Sequence, residues 1–210
     1  MGIEIKKCAV ISGAPEDNLA YYNKYLNGRY IICADSGYKK CERAGFTPDL
    51  IIGDFDSSDF PDKNYNVITL NPRKDYTDTF HCVQEAAARG YNDIVILGGI
   101  GSRLDHTYNN LLCINYCRNR NINCFLVNRN NKVTIIDGEY SFYKDDYKYF
   151  SLYALFEKCS GVSIKGAEYE LNNVELLPSD QLAQSNEFKD DAMVTVSVKK
   201  GKLFLFFSND

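Results

Sequence analysis

Between Lys7 and Val127 the hydrophobic positions fall in short, nearly continuous aliphatic blocks: KCAVISG, YIICA, LIIGD, NVITL, DIVILGG and CFLV. Most are separated by stretches with helical spacing, near residues 17–26, 38–45, 77–89 and 104–118. Blocks this short and this apolar read as strands buried on both faces, and helices between such strands are the crossovers of a parallel sheet. From about residue 132 the rhythm changes to β-rich segments, KVTIIDG, EYSFYK, YKYFSLYAL, GVSIKG, MVTVSVKK and KLFLFF, parted by DG, KG and KKGK turns. This half predicts an antiparallel sandwich or barrel. The polar stretch NRNNK, at 128–132, is the joint. The expected fold class is an α/β N-terminal domain with a mainly parallel sheet, over residues 1–128, and an all-β C-terminal sandwich domain over 129–210.

Composition supports a well-packed protein, since 45% of the 210 residues are hydrophobic and 16 Tyr and 12 Phe supply bulk in the absence of Trp. A formal charge of −4 argues against nucleic acid or an anionic membrane as partner, because either calls for a basic patch. An acidic protein meets polyphosphate through a divalent cation held by carboxylates. The opening MGIEIKKCAVISG has too short an apolar run for a signal peptide, and no stretch of about 18 apolar residues occurs, so a cytoplasmic protein is expected. The eight cysteines form no CxxC and have only His81 and His106 as further soft ligands, so they read as reduced thiols rather than a zinc site.

In open α/β sheets ligands bind beyond the carboxyl ends of the strands. Nearly every such end here carries an Asp: Asp35 after YIICA, Asp54 and Asp56 after LIIG, Asp75 and Asp78 after NVITL, and Asp105 beyond DIVILGG. One such Asp is ordinarily a turn residue or a helix cap, but its recurrence points to shared chemistry. In an extended GDFDSS segment Asp54 and Asp56 would project together, with Phe55 on the opposite side. A hard dication would resolve the repulsion of the two carboxylates; the bland alternative is an Asx-turn leaving a strand. Asp75 and Asp78 lie three apart at the start of a helix, after Arg73 and Lys74. They read either as an N-cap with a first-turn acid or as the rest of a metal cluster flanked by phosphate-binding cations. LGGIGSRLDHTYNNLL opens a helix after a buried strand, where backbone N–H groups face an anion, yet it matches neither a Walker A loop nor a dinucleotide fingerprint. Within it Arg103 suits a phosphate or base, Asp105 suits a capping box with Ser102, and His106 reads as a general base or a packing residue.

The series ADSGYKK, PDLIIGDFDSS, KDYTDTF, GGIGSRLDHTYNNLL, GVSIKGAEYEL and QSNEF resembles, in order, the signatures of bacterial thiamine pyrophosphokinases, over residues 34 to 188. The resemblance implies a nucleotide-binding α/β domain, a thiamine-binding β-sandwich, and a homodimer with active sites between subunits. It also implies ATP as pyrophosphoryl donor, thiamine as acceptor and Mg²⁺ as cofactor. By this likeness Asp54, Asp56, Asp75 and Asp78 are the catalytic and metal-holding residues, and Ser185 with Asn186 meets thiamine. The expected nucleotide-binding set is Asp35, Ser36, Arg73, Lys74, Arg103, Asp105 and His106. Two rival readings remain at this stage: another DxD Mg²⁺-dependent phosphotransferase or phosphatase, and a non-catalytic nucleotide or thiamine sensor.

Overall fold

The computed structural model describes residues 4–56, 60–61, 64–73, 75–189 and 192–210. The chain divides into two compact units, Met1–Arg129 and Asn130–Asp210.

The first unit contains strands β1 (Lys7–Ile11), β2 (Tyr30–Ala34), β3 (Leu50–Gly53), β4 (Val67–Thr69), β5 (Asp93–Leu97) and β6 (Asn123–Val127). Its helices are α1 (Tyr22–Leu26), α2 (Gly37–Arg43), α3 (Asp78–Ala88) and α4 (Leu104–Arg118). These strands lie in the order β6-β5-β1-β2-β3-β4, and every neighbouring pair is parallel. Four of the five residues of β1, β2 and β5 are buried, as a sheet covered on both faces requires. α3 buries Thr79, Cys82, Val83 and Ala86, and α4 buries Asn110, Cys113, Ile114 and Cys117. Each set follows the i, i+3, i+4, i+7 spacing of a helix with one face inward. α1 is shorter than expected, because residues 16–21 form a loop in which the Glu16 carboxylate accepts hydrogen bonds from the Tyr21 and Tyr22 hydroxyls.

The strand order reverses at β1. The chain moves outward through β2, β3 and β4, then returns to β1's other side as β5. The crevice beyond the carboxyl ends of β1 and β5 is therefore a topological switch point. Glycine allows the close approaches there: a Cβ on Gly37 would lie 2.2 Å from the Ile11 carbonyl oxygen, so α2 could not start so near β1 with a larger residue.

The second unit contains β7 (Asn131–Ile136), β8 (Glu139–Phe142), β9 (Tyr149–Ala154), β10 (Cys159–Lys165), β11 (Leu171–Leu176), β12 (Asn186–Glu187), β13 (Val194–Ser197) and β14 (Leu203–Ser208). β12, β9, β14 and β7 form one antiparallel set, and β11, β10, β13 and β8 another. Both contribute to a single core that includes Phe150, Leu152, Val162, Ile164, Val196 and Leu205. Phe142 of β8 packs edge-on against Phe150 and Phe207 of the other sheet, with centroids 5.4 and 4.9 Å apart. The chain thus has the expected fold class, a parallel α/β part followed by an antiparallel sandwich. Among the described residues no helix is long and apolar enough to cross a membrane. All eight cysteines are buried thiols outside any disulfide, and burial pushes the Cys8 and Cys113 thiols up to about 12.

Candidate active site

A cavity of about 870 Å³ opens where the switch point predicts. Its wall takes Ser12, Gly13, Ala14 and Pro15 after β1, Asp35 and Ser36 after β2, and Asp54 and Asp56 after β3. Asp75, Tyr76, Thr77, Asp78 and Thr79 line it around the start of α3. The segment after β5 and the first turns of α4 close it, with Gly99, Gly101, Ser102, Arg103, His106, Thr107 and Asn110.

Side chains knit these loops together. The Ser12 and Thr79 hydroxyls share a buried hydrogen bond of 2.7 Å, joining the β1 loop to the first turn of α3. The buried Asn110 amide donates to the Gly99 carbonyl at 2.8 Å, fixing the β5 loop to α4. The backbone N–H groups of Ser12 and Ala14 donate to the carbonyls of Leu97 and Gly98. A Cβ on Gly101 would come within 2.8 Å of the Ala14 side chain, so the two loops approach as closely as glycine permits.

The acidic residues meet around this cavity in a way that corrects two local expectations. The segment Asp54–Asp56 is not extended: Phe55 has a φ of +54°, and the Asp56 N–H donates to Asp54 Oδ1 at 3.3 Å. Phe55 packs against the core of the first unit and against Phe60. The carboxylates therefore leave β3 through a turn, and their common aim comes from a left-handed residue instead of strand alternation. The N-cap of α3 is Thr77, whose hydroxyl accepts from the Phe80 N–H at 3.3 Å. Asp75 precedes the helix, exposed, and Asp78 is its first-turn acid. Asp35 carries a φ of +45° and sits against Gly53, where a Cβ would lie 2.9 Å from the Asp35 Cα. Left-handed backbone at non-glycine residues beside a cavity is strain of the kind that collects at functional sites.

Asp54, Asp56, Asp75 and Asp78 thus share one cavity wall. Among the described residues no three His, Cys, Asp or Glu side chains cluster closely enough to hold one metal ion by themselves. Arg103 and His106 line the cavity, whereas Arg73 is exposed outside it and Lys74 lies outside the described residues. Asp105 is exposed and forms an ion pair with Arg103 at 2.6 Å, which holds its carboxyl below the usual range. No Ser102 capping box forms: α4's N-cap is Arg103, without a side-chain cap, and the Gly101 N–H donates instead to Thr107 Oγ1 at 3.2 Å.

In the second unit, Ser185 is exposed with a φ of +53°, and Asn186 is only 2% exposed. The Asn186 amide accepts from the Tyr169 N–H at 3.1 Å and donates to the Tyr169 carbonyl at 2.7 Å. Its side chain therefore fixes the backbone at Tyr169, a role the sequence did not suggest. Ser12, Gly13, Tyr76, Thr79 and Asn110 were likewise unforeseen cavity residues. Position just past a strand's carboxyl end was the available signal for Ser12 and Gly13.

A carboxylate-lined cavity at the switch point of a parallel sheet, with an all-β unit following in the chain, places the protein among the open α/β proteins that bind a ligand beyond the carboxyl ends of their strands. A family model described as the thiamin pyrophosphokinase catalytic domain matches residues 22–126, and one described as the thiamin pyrophosphokinase vitamin B1 binding domain matches 134–203. The chain belongs to the thiamin pyrophosphokinase family. Thiamin pyrophosphokinase 1 of Caenorhabditis elegans is 28% identical over 180 residues, which cover 79% of this chain and 74% of the relative. The crystal structure of thiamine pyrophosphokinase from Bacillus subtilis matches with a TM-score of 0.88 at 26% identity, covering 98% of this chain and all of that one. The Geobacillus thermodenitrificans structure gives 0.85 at 26% identity, covering 97% and 98%. Yeast thiamin pyrophosphokinase, at 14% identity, shares the fold with a TM-score of 0.80 over 99% of this chain and 87% of its own.

Proposed function

We propose that this chain is a thiamine pyrophosphokinase that transfers the pyrophosphoryl group of ATP to the hydroxyl of thiamine, giving thiamine diphosphate and AMP. The observation that carries the reading is the carboxylate-lined cavity at the switch point, whose four carboxylates Asp54, Asp56, Asp75 and Asp78 lie within the segment matched by the catalytic-domain model. The hydroxyl oxygen forms a bond to the β-phosphorus as the bond from that phosphorus to the α–β bridging oxygen breaks, and the hydroxyl proton is released. Such a transfer depends on positioning and charge neutralisation more than on covalent help from the protein.

The donor set fits Mg²⁺. Its wall offers hard carboxylate oxygens, and Mg²⁺ is commonly held by one or two carboxylates together with water and substrate phosphates, which needs no cage of three protein ligands. In this reading Asp54, Asp56, Asp75 and Asp78 share the holding of Mg²⁺, one or two directly and the others through its waters, and the ion when bound would offset charge on the phosphoryl oxygens. Arg103, kept oriented by Asp105, faces the nucleotide with Asp35, Ser36 and His106. Arg73 and Lys74 are assigned to the phosphates as cations. On the thiamine side stand Ser185 and, through the Tyr169 backbone it fixes, Asn186.

The deciding assay supplies ATP, MgCl₂ and thiamine and identifies the nucleotide product. AMP that appears only when thiamine is present supports the proposal; ADP or orthophosphate without an acceptor indicates a different phosphotransferase or a phosphatase, and binding without turnover indicates a sensor. A homodimer acting in the cytoplasm completes the proposal. Sedimentation at about twice 23.9 kDa and recovery of activity in the soluble cell fraction are its checks.

A further inference from the structure

Lys40 is buried to 6% exposure on α2, a position where Leu or Met would pack without the cost of enclosing an amine. Its Nζ lies in the slot between the two loops that diverge at the switch point. It donates to the Ala14 carbonyl at 2.5 Å, and a Cβ on Gly98 would come within 2.9 Å of it. Those loops carry Ser12–Pro15 and Gly99–Arg103 into the cavity wall, but Lys40 itself does not line the cavity. The next residue of the β1 loop with a charge, Glu16, is held by the Tyr21 and Tyr22 hydroxyls, so the loop is pinned at two points.

We propose that Lys40 is a positioning residue for the nucleotide: its ammonium clamps the β1 loop against the β5 loop from beneath, so that both present a fixed, electropositive floor to the triphosphate. The inference rests on the reading that ATP occupies this cavity. A cation enclosed on the protein side of a wall whose open side bears carboxylates acts across low dielectric, where it is screened less than a surface lysine. The groups facing the ammonium are Glu16 from the β1 loop, Cys33 from β2 and Arg43 from its own helix. Burial is the dominant influence and brings the ammonium down to about 8, so its charge is lost within the accessible alkaline range.

The test is calorimetric binding of α,β-methylene-ATP with MgCl₂ to wild type and Lys40→Met, in buffers of differing ionisation enthalpy. At pH 7.5 the variant should bind about tenfold more weakly, because the β1 loop loses its charge-assisted anchor at the Ala14 carbonyl and the wall loses its enclosed cation. At pH 9 wild type should take up a fraction of a proton as the anion restores the ammonium, and Lys40→Met should take up less. A folded Lys40→Met with wild-type affinity at pH 7.5, or with the same proton uptake at pH 9, overturns the proposal. If Lys40→Met fails to fold, Lys40→Arg takes its place. Its guanidinium stays charged, so no proton uptake at this site supports the proposal, and uptake equal to wild type overturns it. Wild type that does not bind the analogue overturns both this inference and the functional reading, whereas binding without thiamine-dependent AMP release overturns only the latter.

Discussion

Asp54 and Asp56 are separated by a residue held in left-handed backbone, and their approach is shaped by the turn at Phe55. Both line the cavity, and an asparagine amide at position 56 would offer a cation a neutral, weaker oxygen than the carboxylate does. Asp56→Asn should therefore leave the fold intact while reducing thiamine-dependent AMP release by at least about a hundredfold, as expected for loss of a metal-ion ligand. Circular dichroism checks the first half of that statement and steady-state assay the second. Near-wild-type turnover in the folded variant would remove Asp56 from the metal. The recurrence of Asp at strand ends was visible in the sequence because strand ends are. The contacts of Ser12 with Thr79 and of Asn110 with Gly99 were not, since each joins residues whose proximity arises only from the packed sheet and helices.

α3 places Asp78 and Thr79 in its first turn, so its N-terminus is part of the cavity wall as well as a helix end. Thr77→Ala removes the hydroxyl that accepts from Phe80 and should destabilise the protein by about 1 kcal/mol in urea denaturation. Thr77→Ser should restore most of that loss, and an unchanged midpoint for the alanine variant would show that the cap contributes nothing. Both Thr and Asp are good caps, which is why the sequence did not distinguish Thr77 from Asp75. Elsewhere α4 coincides with the expected 104–118, because its buried positions repeat at regular helical spacing. β11 escaped notice because LNNVEL lies at a sheet edge, mostly exposed and with shifts in its register against β10, so no alternation marks it. β12 spans just two residues, too few to carry any period.

Across the molecule as a whole, Lys40 sets stability and ligand affinity against one another. Its folded-state pKa of about 8 lies below the ordinary 10.5. Below pH 8 the ammonium is charged in both folded and unfolded chains, and the full cost of burying it is present. Between about 8 and 10.5 the folded chain has released a proton that the unfolded chain retains, so this group's contribution to stability rises with pH. Relative to Lys40→Met, wild type should gain up to about 3 kcal/mol across that window, read from denaturation midpoints at matched ionic strength. A flat difference would place the ammonium in contact with water.

The position of β1 also governs the order in which the first unit can assemble during synthesis. β1 is translated before its neighbours, yet one of its two edges is not fully paired until the chain has emerged from Asp93, opposite Lys7, to Leu97, opposite Ile11. Until then an apolar strand stays half-unsatisfied, and closing the sheet requires a long loop to be ordered at once. The nascent chain therefore exposes an apolar strand edge at the place where the crevice will form, and that interval is where a holdase chaperone would engage it.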